Sequence, residues 1–374
     1  MPIAAPQTRG GLAIGLAVFF SDIGKSFAAQ WVFFVFPLAF LASNAWFMRG
    51  LVNAQPVPID LLIFSTATIT LPAALFALFI VRLVQFALII KPPSPFKALI
   101  ADIRDFCQSP RRIANGLPIL VAMTIFNKAM LELKPAIPLI KPFAWDEALA
   151  AFDRSLHFGV DPWRLLQPVL GYDWVTFAIN CSYNFWFLAL FGLWFWFGFR
   201  PDFTALRTRF FLTYMGAWWI GGGILALYFS SAGPCYYGLL KLPDDPYAAQ
   251  MAYLYGVNSR LPIWALDAQQ MLWDGYTGKF RALGISAFPS MHNAMAMIFV
   301  LVGCRLHRWL GILFSINLAI IFFGSIHLAW HYAVDAYAGI LIGLGVWCVM
   351  GPVVRWYHGL RLCRAWEQRL AQPV

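Results

Sequence analysis

Two short stretches hold residues able to move a phosphoryl group. Phe288-Pro289-Ser290-Met291-His292 opens one apolar run, and His331-Tyr332-Ala333-Val334-Asp335 lies between two others. On a helix, His331 and Asp335 are one turn apart and share a face. A carboxylate on one imidazole nitrogen fixes the tautomer and leaves the other nitrogen the better nucleophile. A second histidine across a cleft can protonate a leaving oxygen. Ser290 begins a helix, where its hydroxyl and free backbone N–H groups can receive an anion. Two histidines, a carboxylate and a helix N-terminus suit phosphoryl transfer through a phosphohistidine.

The elements that must position these groups are membrane helices. Of 374 residues, 61% are hydrophobic and 12% charged, half the charge of an ordinary soluble chain, and the mean hydropathy is +0.68. That excludes a typical cytosolic enzyme, a disordered protein and a nucleic-acid binder. A helix needs about 20 apolar residues to cross the hydrocarbon. Eight segments qualify: Phe27–Phe47, Leu61–Val81, Ile113–Leu133, Val175–Phe199, Phe210–Ser230, Ser290–Leu306, Leu310–Trp330 and Ala336–Val354. The third is the weakest, because Asn127, Lys128 and Glu132 crowd its end. The chain reads as an all-α polytopic membrane protein of about eight transmembrane helices. The apolar run Gly10–Phe20 after Arg9 reads as a retained interfacial helix, with a cleaved signal peptide as the alternative. Six cysteines without a CxxC pair indicate a bundle held by packing, not by disulfides or zinc.

Charge orients the bundle. With both termini cytoplasmic, seventeen of the 27 basic residues and only five of the 17 acidic ones fall on the cytoplasmic side, as the positive-inside rule requires. Topology thus accounts for the net charge of +10, and no nucleic-acid partner is needed. Both histidine clusters then face the opposite side, which in a bacterial inner membrane is the periplasm. Two long segments lie there as well, Lys134–Asp173 and Ala232–Ala287. The first alternates apolar and charged residues at helical spacing and reads as one or two interfacial helices able to cover a cleft. Three parts are expected: residues 1–112 with the interfacial helix, two extra spans and a basic loop; a six-helix catalytic core over 113–354; and a basic tail, 355–374.

Pro289-Ser290-Met291-His292 resembles the PSxH motif, and His331-Tyr-Ala-Val-Asp335 the HxxxD motif, of the type 2 phosphatidic acid phosphatase (PAP2) superfamily. Within it, Ser286–His292 and Trp330–Gly339 are most similar to the inositol phosphorylceramide synthase branch, and sphingomyelin synthases share the HYxxD element. The resemblance implies a PAP2-like six-helix core in which His331 attacks phosphorus, Asp335 orients it, His292 serves as acid and then base, and Ser290 helps hold phosphate oxygens. It implies no metal or other cofactor, a phospholipid or lipid-phosphate substrate, and a ceramide-type acceptor in the synthase case.

The chain departs from the phosphatase branch in two places. No KxxxxxxRP motif precedes PSxH in Ala232–Ala287, and Gly324-Ser325 stand where that branch has Ser-Arg. A phosphate still needs cationic or N–H donors. The nearest in sequence are Lys279 and Arg281, then Arg260, with Gly233-Pro234 as a source of backbone donors and His327 as a further cleft residue. Three other readings stay open. Hydrolysis of a phosphatidate- or polyprenyl-phosphate-type lipid needs only water as acceptor. A zinc site could draw on His327, His331, Asp335 and His292. A proton-coupled transporter would use a buried His/Asp pair, though no paired halves are evident. His157, His307 and His358 read as packed or interfacial residues.

Overall fold

The computed structural model describes residues 9–51, 71–84, 86, 90–279, 281 and 283–372, and the described residues form helices joined by turns, with no strand among them. In chain order the helices are α1 (Arg9–Ala29), α2 (Val35–Phe47), α3 (Leu71–Val84), α4 (Pro95–Cys107), α5 (Pro110–Ile140), α6 (Asp146–Leu156), α7 (Pro162–Leu170) and α8 (Asp173–Gly198). They continue with α9 (Ala205–Tyr228), α10 (Ala248–Asn258), α11 (Trp264–Tyr276), α12 (Met291–Leu306), α13 (Arg308–His327), α14 (Ala333–His358) and α15 (Arg361–Ala371).

Among the described residues, five helices are long and apolar enough to cross a membrane: α5, α8, α9, α13 and α14. A sixth span arises if the α1–α2 pair, bent by 63°, counts as one. The bend falls at Gln30, whose side-chain amide donates to the Ser26 hydroxyl and the Asn115 carbonyl. Among the described residues, then, five or six of the eight expected spans are accounted for. The α12 helix is apolar but only 16 residues long, and most of the second candidate, Leu61–Val81, lies outside the described residues. The third segment, weakest by sequence, becomes the longest helix, 31 residues. Its charges do not end it, because Lys128 and Glu132 pair with each other one turn apart.

The last spans form the scaffold of the site. The α12 helix packs against both α13 and α14, α9 packs on α14, and α8 packs on α13. The α12–α14 crossing is a backbone-to-backbone approach. A Cβ at Gly343 would lie 2.6 Å from the Ala294 carbonyl oxygen, and one at Gly339 would meet the Ser290 carbonyl more closely still. Two glycines one turn apart let two helices approach this closely. Gly221–Gly223 lie in a π-helical stretch of α9 (Trp218–Leu225), with Gly221 against Met291 and Gly223 against Phe40.

Several of the basic residues assigned to one side lie near the end of α14 away from His331. There Arg111 and Arg369 pair with Asp22, His358 with Glu367, and Arg209 donates to the Trp347 carbonyl. Arg207, fully buried, donates to Gln30 and to the carbonyls of Asn115, Phe197 and Gly198. Cys181, Cys235, Cys304, Cys348 and Cys363 are free thiols.

Candidate active site

The glycine crossing seats the start of α12 against the start of α14. His292 is the second residue of α12, and His331 and Asp335 flank the first turn of α14. The Ser290 amide donates to the Asp335 carbonyl at 2.9 Å, so the two motifs share a main-chain bond. The His292 and His331 ring centroids are 6.4 Å apart. A nucleophile about 3–3.5 Å from the reacting atom and an acid about 3 Å from the leaving oxygen need roughly this much room around one phosphorus atom.

Asp335 is wholly buried. One carboxylate oxygen accepts from the Tyr332 amide at 3.0 Å and lies 3.4 Å from His331 Nδ1. The second distance is longer than an ordinary hydrogen bond. The ring also bonds the Ala287 backbone. His292 is boxed by aromatic rings, with centroids at 4.5 Å (Trp186), 4.8 Å (Tyr183) and 6.0 Å (Phe187).

Both histidines line a cavity of about 260 Å³. Its walls come from α5 (Lys134), α8 (Asn180, Tyr183), α9 (Trp218), α11 (Ala268, Met271) and the segment before α12 (Gly284–Ala287). From Ala232–Ala287, α11 contributes to the wall, and from Lys134–Asp173 only Lys134 does, with no residue of α6 or α7 in the lining.

The α6 and α7 helices brace the site from behind. Asp153 accepts from the amides of Ala333 and Val334 at 2.9 and 3.0 Å, and so caps α14. Asp146 accepts from the amides of Ala232 and Gly233 and from the Tyr332 hydroxyl. Burial, aided by the nearby Asp335 charge, pushes the Asp153 carboxyl up to about 6. Burial also raises Asp146, against the lowering effect of its three donors. The first amides of α14 are therefore occupied by a carboxylate, and the Gly233 amide is bonded to Asp146 rather than free for an anion.

The structure brings together His292, His331 and Asp335 and places the other candidates elsewhere. Ser290 is buried, with its hydroxyl accepting from Asn293 at 3.0 Å. Lys279 is paired with Asp274 and Arg260 with Asp173, both on exposed surface. Arg281 is exposed and does not line the cavity. His327 bonds Thr176 at 2.9 Å, away from the cavity. Among the described residues no group of three His, Cys, Asp or Glu side chains is placed to hold a metal ion.

Three residues escape the sequence reading. Lys134 lines the cavity within electrostatic reach of both imidazoles, and its signal is a lysine inside an apolar helix, where an ionisable group is functional by default. Asp146 and Asp153 are seven residues apart, two turns on one helix face, and that face also carries the buried Leu149 and Ala150.

Residues 147–349, a stretch that includes His292, His331 and Asp335, match the PAP2 superfamily. No curated protein and no solved structure matches significantly. The match spans more than half of the 374 residues, and this all-helical membrane chain, in which the two histidine motifs meet at one cavity, belongs to the PAP2 superfamily of lipid phosphatases and phosphotransferases.

Proposed function

We propose that the protein is an integral membrane phosphotransferase that moves a phosphoryl headgroup between lipids through a phosphohistidine, in the manner of an inositol phosphorylceramide synthase. The observation that carries this reading is the 6.4 Å approach of His292 and His331 across one cavity. The His331 nitrogen remote from Asp335 attacks phosphorus with its free lone pair, in the tautomer whose proton sits on Nδ1 toward Asp335. The bond to the diacylglycerol oxygen breaks, and His292 gives that oxygen its proton. An acceptor hydroxyl, that of a ceramide-type lipid, then returns a proton to His292 while its oxygen displaces His331. Asp335 holds the ring and balances its charge, and Lys134 offsets the phosphate charge in place of the missing arginines. The apolar wall from α11 favours a lipid acceptor over water. The reaction is assigned to the periplasmic face of a bacterial inner membrane, because the arginine-rich pole lies at the other end of α14.

The test is incubation of purified protein with a phospholipid radiolabelled in its phosphorus, with and without ceramide. Wild type is expected to form a labelled ceramide product, and His331→Ala none. Product unchanged by that substitution would remove His331 as nucleophile. Water-soluble labelled phosphate formed without ceramide would replace transfer by hydrolysis.

A further inference from the structure

Helices α12 and α14 carry Arg305 and Arg355 in their last turns. Asp335 and Arg355 are twenty residues apart on α14, about 30 Å along a helix, so this end and the histidine cavity are separated by one hydrocarbon thickness. Arg209 of α9 lies within electrostatic reach of both arginines. Its guanidinium is fixed in place. Nε and Nη2 donate to the Trp347 carbonyl at 3.1 and 2.7 Å, and the group stacks over the Trp347 ring at 4.1 Å. A Cβ at Gly351 would stand 2.9 Å from Nη2, so the glycine leaves room for the guanidinium.

No carboxylate answers this charge. Other arginines of the same pole are paired, Arg111 and Arg369 with Asp22 and Arg200 with Asp202. Among the described residues no Asp or Glu forms an ion pair with Arg209, Arg305 or Arg355. Like charges gathered at the edge of a low-dielectric medium repel, and a phosphate accepting from several guanidiniums removes that repulsion. Beside them an open groove of about 610 Å³ starts at Cys304 and Arg308 and runs along α13 past Ile312 and Ile316 to Ala319.

Charge selects what fills the groove. A helix from a second copy would suit the small residues in its lining, but a two-fold axis along the membrane normal sets each patch against its own image and keeps both arginine clusters at one level. A phospholipid meets both demands, with phosphate among the arginines and hydrocarbon in the groove. We propose that Arg209, Arg305 and Arg355, with Arg308 at the mouth of the α13 groove, bind an anionic phospholipid of the leaflet opposite the histidine cavity, a lipid that is held and not turned over. It clamps α9, α12 and α14 at the ends remote from the reaction. The site is independent of the phosphotransfer reading, and its readout is binding.

The experiment is native mass spectrometry of the full-length protein in detergent, titrated with cardiolipin or with phosphatidylcholine. Wild type is expected to retain cardiolipin at least about tenfold more tightly than phosphatidylcholine. Replacing two exposed arginines together, Arg305→Gln with Arg355→Gln, should weaken cardiolipin about thirtyfold, or roughly five- to sixfold per arginine. Arg361→Gln with Arg364→Gln removes the same charge from α15, outside the cluster, and should leave binding nearly unchanged. Equal weakening by the two pairs would reduce the effect to net charge and overturn the site. Loss of binding in Lys134→Gln, with none in the Arg305/Arg355 pair, would place the lipid in the histidine cavity and overturn it as well. A stable dimer that takes up no cardiolipin would give the groove to a second copy. Cys304, an exposed free thiol in the lining, reports the location. Saturating cardiolipin should slow its alkylation by N-ethylmaleimide in wild type and not in the Arg305/Arg355 pair, and an unchanged rate in wild type would refute the placement.

Discussion

Substituting Gly339 by alanine tests whether the helix crossing, rather than the surrounding loops, sets the catalytic geometry. At Gly343 an added methyl would stand 2.6 Å from the Ala294 carbonyl oxygen, and at Gly339 the Ser290 carbonyl is closer. Ordinary close C···O contacts fall at about 3.3–3.6 Å, so the α12 and α14 backbones must part by roughly 0.7 Å or more. Overpacking of this kind costs about 1–3 kcal/mol. The effect on chemistry is larger, because Ser290 lies two residues before His292 and the displaced carbonyl carries that ring away from His331. A misplacement of about 1 Å can cost on the order of a hundredfold in rate. Gly345→Ala is the control, since nothing lies within 4 Å of its added Cβ. The assay is kcat on a labelled phospholipid beside Tm in the same detergent. The expected result is a loss in kcat of about a hundredfold for Gly339→Ala with a modest fall in Tm, and little change in either for Gly345→Ala. Full activity in Gly339→Ala would refute the argument that the crossing positions the histidines.

Three further outcomes are expected. Asp153 keeps its proton up to about pH 6, against about 4 in an unfolded chain, so the native state binds the extra proton and loses stability as pH climbs from about 4 through 6. The same deprotonation lets Asp153 accept from both α14 amides, so kcat should rise through pH 6 and level off. Asp153→Asn should flatten that limb and lower the plateau, and a limb intact in the variant would assign it to another group. Arg207→Met leaves acceptors on Gln30, Asn115, Phe197 and Gly198 without their donor and should destabilise the fold by roughly 3 kcal/mol or more, read as a fall in Tm; activity per folded molecule should stay unchanged, and an unaltered Tm would contradict the network. Activity should survive prolonged chelation, whereas loss on chelation with recovery on adding zinc would reinstate the metal reading.

The parts of the site legible in sequence are those that obey local rules. His331 and Asp335 fall one helical turn apart, and apolar span counting assigns His292 and His331 to the same end of the bundle. Longer-range partners were less accessible. Lys134 looks like the frayed end of a weak span until Lys128 and Glu132 are seen to neutralise each other and let α5 run on to Ile140. Asp146 and Asp153 look like surface charge on an amphipathic helix, because only the folded chain reveals that their face is turned toward α14 and Gly233. Lys279 and Arg281 lie close to Ser290 in sequence, but Lys279 is held at the surface by Asp274.

The support of His331 and the chamber's apolar wall belong to different stretches of chain. Helix α6 steadies the residues around His331 without touching the chamber, whereas α11 contributes Trp264, Ala268 and Met271 to the chamber wall. Exchanging those three side chains therefore reshapes the chamber wall while the contacts that hold His331 and Asp335 stay as they are.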